Sequence, residues 1–168
     1  EGLSNTDVQS LLQDDDGNLW IGTLAGLARY NGKSFENFTQ REGLAEDWVT
    51  TAYKDTRGNL RFGHWGGGIT RYETKSKKFT DEKVEDLTNF SFIKAITGDS
   101  LGNVFFGTDG AGILRYDPSV KSFVILDELF SGKNHLAGDH PQSGVSALCT
   151  DQFGKLWIGS DKGIKVYD

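Results

Sequence analysis

The side chains able to do chemistry are few and unevenly spread. Three histidines and one cysteine occur in 168 residues. His64 adjoins Trp65 and the run Gly66-Gly67-Gly68, whereas His135, Asp139 and His140 share one long polar stretch. Two histidines and a carboxylate in one loop are a weak metal-ligand pattern. Asp14-Asp15-Asp16-Gly17-Asn18 has the outline of a calcium loop, but the twelfth position from Asp14 is Ala25, where such a loop needs a bidentate Glu. No convincing His/Glu pair can be placed. The chain therefore reads as non-catalytic, with no cofactor or metal expected. Binding chemistry is better represented. A tryptophan beside glycine offers a flat apolar platform, which suits a sugar face when Asp, Asn, Arg and His stand near it. Trp48, His64, Trp65, Phe90, Asp109, His135, Asp139 and His140 are the candidate ligand-binding residues.

The elements that must position them repeat four times. Gly17-Asn18-Leu19-Trp20-Ile21-Gly22 returns as Gly58-Asn59-Leu60-Arg61-Phe62-Gly63, then Gly102-Asn103-Val104-Phe105-Phe106-Gly107, then Gly154-Lys155-Leu156-Trp157-Ile158-Gly159. The leading glycines are 41, 44 and 52 residues apart. A strand-rich period of about 40–45 residues is the mark of a β-propeller blade. Each copy predicts an inner strand a (Val8–Leu12, Val49–Tyr53, Ile93–Thr97, Val145–Cys149) with a small residue at one offset: Ser10, Thr51, Ala95, Ala147. An Asp three residues before each leading glycine (Asp14, Asp55, Asp99, Asp151) predicts a tight a-to-b turn. Strand c then closes on Tyr30, Tyr72, Tyr116 or Tyr167, and strand d begins at Phe35, Phe79 or Phe123. Trp20 and Trp157 fall in register and read as blade packing. Arg29, Arg71 and Arg115 read as structural pairing, and Cys149 as a buried small residue.

The sequence Asp14, then Gly17 to Tyr30, with Gly32-Lys33-Ser34-Phe35 and Glu42-Gly43-Leu44 after it, resembles the two-component regulator propeller repeat. Copies two and three depart from it at Arg61, Phe105 and the His64–Gly68 loop. The resemblance implies an all-β fold of β-propeller blades, and a periplasmic or extracellular sensor region of bacterial hybrid two-component systems, often responding to polysaccharide fragments. It implies one domain over 1–168, with blades near 1–40, 41–81, 82–127 and 145–168 and an inserted loop at 127–144. Each blade is a four-stranded antiparallel sheet, the last without its outer strand. The array is a partial or oligomer-completed propeller, and self-association is expected. No leader is present in these residues.

Strand alternation puts the d-to-a and b-to-c loops on one face, where the copies diverge and the candidate residues fall. The a-to-b and c-to-d turns share the other face. A net charge of −6 with scattered Lys and Arg argues against a nucleic-acid partner, and no apolar run approaches the ~18 residues of a membrane span. The first functional reading is a non-catalytic sensing module for an oligosaccharide or other small polar ligand. The Gly-Asn-Leu-Trp strand is also similar to streptogramin lyase propeller repeats, which use a histidine and magnesium. A purely structural interaction scaffold is the third reading.

Overall fold

Short apolar segments bounded by Asp-x-x-Gly turns fold as antiparallel meanders in the computed structural model, which describes residues 2–84, 92–126 and 144–167. Module one is β1 (Val8–Gln13), β2 (Leu19–Thr23), β3 (Gly26–Tyr30) and β4 (Phe35–Phe38). Module two is β5 (Val49–Lys54), β6 (Leu60–His64), β7 (Ile69–Glu73) and β8 (Lys78–Asp81). Module three is β9 (Phe92–Gly98), β10 (Val104–Asp109), β11 (Ile113–Asp117) and β12 (Ser122–Ile125). Module four has three strands among the described residues: β13 (Val145–Thr150), β14 (Leu156–Ser160) and β15 (Gly163–Tyr167). Strand order follows chain order in every sheet. The inner strands β1, β5, β9 and β13 neighbour one another in series, so the sheets stand side by side as propeller blades in an unclosed array.

The carboxylate of each Asp-x-x-Gly turn holds its own loop together. Asp14 accepts the backbone N–H of Asp16 and Asn18, and its other oxygen accepts Asn18 Nδ2 (2.9 Å) and Trp20 Nε1 (2.8 Å). Asp151 repeats this with Trp157 Nε1 at 2.9 Å. Burial disfavours the charge on Asp14, but the bonds from Asn18, Trp20 and the backbone outweigh it and hold the carboxyl below its usual value. The Glu42-Gly43-Leu44 signature also has a physical basis. Thr39 follows the outer strand and caps a 3-10 turn over Gln40–Glu42, with Glu42 closing the capping box. Gly43 takes the left-handed conformation (φ 109°) that lets Leu44 turn into the core. This 3-10 turn is the sole helix among the described residues, and none is long and apolar enough to cross a membrane.

The core lies between blades. Trp20, Leu27 and Phe38 of module one pack with Val49, Leu60, Phe62 and Tyr72 of module two, around a Trp20–Tyr72 ring contact of 4.8 Å. Ile69 joins Ile93, Val104, Phe106 and Leu114 between modules two and three. Phe105 and Ile113 join Val145, Leu156 and Ile158 between three and four. At each junction a strand-b glycine receives the β-branched residue that opens the next inner strand. A Cβ on Gly22 would lie 2.8 Å from Val49 Cγ1, one on Gly63 2.6 Å from Ile93 Cβ, and one on Gly107 2.5 Å from Val145 Cγ1. Val49, Ile93 and Val145 are wholly buried. Their counterpart Val8 is 42% exposed, and Gly159 meets Ala147 of its own blade.

Two expectations for module four need correction. Trp157 is 43% exposed where its counterpart Trp20 is fully covered, because no further blade lies against it among the described residues. Cys149 is exposed rather than buried for the same reason.

Gly63→Ala, at a close approach to Ile93, is expected to destabilise the chain by about 1–3 kcal/mol through overpacking. Gly159→Ala, whose added carbon has Ala147 Cβ as its nearest neighbour at 3.3 Å, should cost under about 1 kcal/mol. Urea denaturation of the two variants beside the parent checks the difference.

Candidate functional site

Strand alternation brings the b-to-c and d-to-a segments to one rim, and backbone hydrogen bonds fasten them there. Gly26 N donates to Asp47 O at 2.7 Å, Trp65 N to Trp48 O at 3.0 Å, and Asp161 N to Gly144 O at 3.4 Å. Two positions of the repeat recur along this rim. One stands immediately before Val8, Val49, Ile93 and Val145 and holds Asp7, Trp48, Phe92 and Gly144; the other stands two residues after the strand-b glycines and holds Leu24, Trp65, Asp109 and Asp161.

In modules two and three these positions build a continuous aromatic shelf. Trp48 and Trp65 stack with centroids 4.3 Å apart and an interplanar angle of 7°. Trp65 stacks in turn on Phe92 at 3.4 Å and 23°. Trp65 lies between its two stacking partners, and its 42% exposure falls at the edge of the ring. Its loop accommodates this because Gly66 and Gly67 are both left-handed (φ 96° and 86°) and add no side chains over the ring. The shelf leads to a charged pair. Phe92 lies opposite Asp109 in the β9–β10 register, and Asp109 Oδ2 is 2.7 Å from Lys94 Nζ. Gly144 leaves room for this carboxylate, since a Cβ there would stand 2.6 Å from Asp109 Oδ1.

Lys94 reaches the rim through a bulge. Every inner strand skips one residue in its register with strand b, at Gln9, Thr50, Lys94 and Ser146. A bulge turns the extra residue out of the ladder. In module two Thr50 uses that freedom to donate to the carbonyls of Gly63 and Ile93; in module three the freed residue is a lysine facing Asp109.

The sequence placed Trp48, Trp65 and Asp109 together, and the structure does bring them together. Phe90, His135, Asp139 and His140 lie outside the described residues. The aromatic that completes the shelf is Phe92, which the sequence puts in the same d-to-a segment as Phe90 but not among the candidates, and Lys94 was not a candidate either. Alignment to Trp48 identifies Phe92, since each residue immediately precedes the buried opener of its inner strand. Lys94 had no comparable signal, because a bulge is invisible in the repeat pattern.

His64 stands beneath this rim, not on it: the structure corrects its assignment to the ligand surface. Its ring is fully buried, with Nε2 2.7 Å from Thr70 Oγ1, and that hydroxyl accepts Ala45 N at 2.8 Å. Nδ1 makes no hydrogen bond of normal geometry. Burial lowers its pKa to about 4, against weaker opposing pulls from the Glu46 backbone, Asp81 and Asp47. The imidazole is thus a neutral packing group that bonds the loop to strand c.

The unfolded histidine takes up a proton near its ordinary pKa, and the folded one only near pH 4. Its contribution is therefore complete above about pH 6.5 and lost as pH falls towards 4. Stability should drop by about 2 kcal/mol between pH 7 and pH 5 through this residue. His64→Thr, the residue of modules one and three, is expected to flatten that part of the profile in urea melts at the two pH values.

A model of the two-component regulator propeller matches residues 2–25 and 139–162, the opening parts of modules one and four. No curated protein matches the sequence. Among solved structures, the extracellular domains of two putative hybrid two-component systems of B. thetaiotaomicron superpose over the whole chain, each at 23% identity, with TM-scores of 0.76 and 0.80. The chain spans 22% of the length of each. Virginiamycin B lyase from Staphylococcus aureus covers 97% of the chain and 56% of its own length, at 16% identity and a TM-score of 0.70. These likenesses establish the blade architecture, and two stretches of the chain are similar to the two-component regulator propeller.

Proposed function

We propose that the chain is a non-catalytic part of an extracellular or periplasmic sensor, and that its shelf binds a small polar ligand with a flat apolar face, such as an oligosaccharide. The observation that carries this reading is the Trp48–Trp65–Phe92 stack, exposed along the edge of Trp65 and ending on the Lys94–Asp109 pair. An aromatic surface with a few polar groups at its edge fits a ligand that has an apolar face and a hydroxylated rim. Lys94 supplies a donor and Asp109 an acceptor, and at 40% and 38% side-chain exposure both can turn from each other to a ligand. The matched repeats and the extracellular origin of the two B. thetaiotaomicron domains support a sensory role and a location outside the cytoplasm. The lyase alternative finds less support: His64 is sealed from solvent and bonded to Thr70, which removes it as an acid–base group.

Tryptophan fluorescence titration with a panel of neutral oligosaccharides tests the shelf. Saturable change in the parent and at least about tenfold weaker binding in Trp65→Ala are expected, as for loss of a central aromatic anchor. A ligand that binds equally well to both proteins would remove the shelf from the site.

We also propose that the isolated chain self-associates. Leu11 (63% exposed) opens one end of the array, and Ile164 (75%) opens the other. Contiguous apolar faces of this kind favour association. Light scattering at tens of micromolar should give a mass above that of the monomer, and a strictly monomeric mass would oppose the proposal.

A further inference from the structure

A second constellation lies at the other end of the blades, between modules two and three. It starts from one substitution in the repeat. Where modules one and four have Trp20 and Trp157, each donating its ring N–H to the turn aspartate, module two has Arg61. Arg61 keeps the direction of that contact, with Nε 3.7 Å from Asp55 Oδ2, yet this is too long for a hydrogen bond, and the buried Nε is left without a partner. Its side chain is 3% exposed, ion-paired with Glu82, and lies 4.3 Å from the centroid of the Tyr116 ring. Glu82 also accepts Arg71 Nε at 3.0 Å. Burial raises the Glu82 carboxyl in spite of both arginines.

Above Arg61 opens a cavity of about 340 Å³. Five of its lining side chains are cationic and two are carboxylates, in a chain whose net charge is −6. Arg61 and Arg71 are balanced by Asp55, Glu73 and Glu82. The other three cations, Arg57, Lys75 and Lys121, face the same cavity and form no ion pair among the described residues. They come from the Asp55 turn and from two successive c-to-d turns, so the positive rim is assembled only when blades two and three dock.

We propose that this cavity binds an oxyanion group, a phosphate, sulfate or carboxylate, of a small ligand. The floor supplies the buried Arg61 guanidinium, and the rim supplies three cations held in no ion pair among the described residues, of which Lys75 also borders the Asp14–Asp16 turn; together they stabilise a charge that the enclosing blades partly remove from water. The site is independent of the aromatic shelf, on the opposite face of the array, and either can fail without the other.

Backbone amide shifts of the 168-residue chain, followed at constant ionic strength during titration with inorganic phosphate, sulfate or malonate, test the proposal. Saturable shifts in the Asp55–Arg61 and Tyr116–Lys121 segments are expected at millimolar concentration. Saturation by any of the three supports the site, and the order of affinity shows whether phosphate, sulfate or carboxylate is preferred. Lys75→Gln with Lys121→Gln should weaken binding by about fivefold or more. The exposed pair Lys33→Gln with Lys162→Gln, an equal change in net charge, should alter it less than about twofold. Arg61→Trp, which restores the residue of modules one and four, should abolish the shifts. No saturable shift with any of the three anions, or equal weakening in the two lysine double variants, overturns it.

Discussion

The meeting of a bare strand-b glycine with the β-branched residue of the next blade sets the spacing on which everything else depends. Gly22 and Val49, Gly63 and Ile93, and Gly107 and Val145 repeat one contact at three junctions. The absence of a side chain on one partner lets a fully buried Val or Ile sit against the backbone of the other sheet. The inter-blade cores then fill outward from that contact, with aromatic residues in the first junction and mainly aliphatic ones in the next two. Each blade buries its apolar surface on a neighbour, so stability is assembled by nearest-neighbour contacts. The exposure of Trp157, Ile164 and Leu11 at the two ends follows from the same rule.

Most of the architecture was legible in the sequence because the repeat gives independent copies of each signal. A glycine at a fixed place in four strands, an aspartate three residues before four turns, and a small residue at one offset of four inner strands identify the blade and its boundaries. The 3-10 turn at Gln40–Glu42 was not read, although Glu42-Gly43-Leu44 was noticed, since a capping box serves a local turn and leaves no periodic trace. The exposure of Cys149 was missed for a different reason. Pattern alone places it on an inner strand; only the geometry shows which strand lacks a neighbour.

The candidate site was legible in part. Divergence between copies led to Trp48, Trp65 and Asp109, which the structure places along one rim. It led equally to His64, which differs from Thr23 and Thr108 for an internal reason. The imidazole fills buried space and holds Thr70, whereas both threonines bond their own hairpin carbonyls. A substitution within a repeat therefore marks a changed environment, and only burial tells a changed core from a changed surface. Arg61 makes the same point from the opposite side. In the sequence it is only a departure from the repeat, yet an arginine in a tryptophan's place draws Glu82 and Arg71 into a charged junction at the foot of a cavity.

The bulge on each inner strand divides labour between two adjacent residues. Ile93 is locked between blades, and the next residue, Lys94, is released from both. Gln9, Thr50 and Ser146 occupy the same released position and differ in size, charge and hydrogen-bonding capacity. Selection can thus rewrite the chemistry of the rim one side chain at a time while the adjoining residue continues to carry the mechanical load, so that what the array recognises and what keeps it standing evolve on separate tracks.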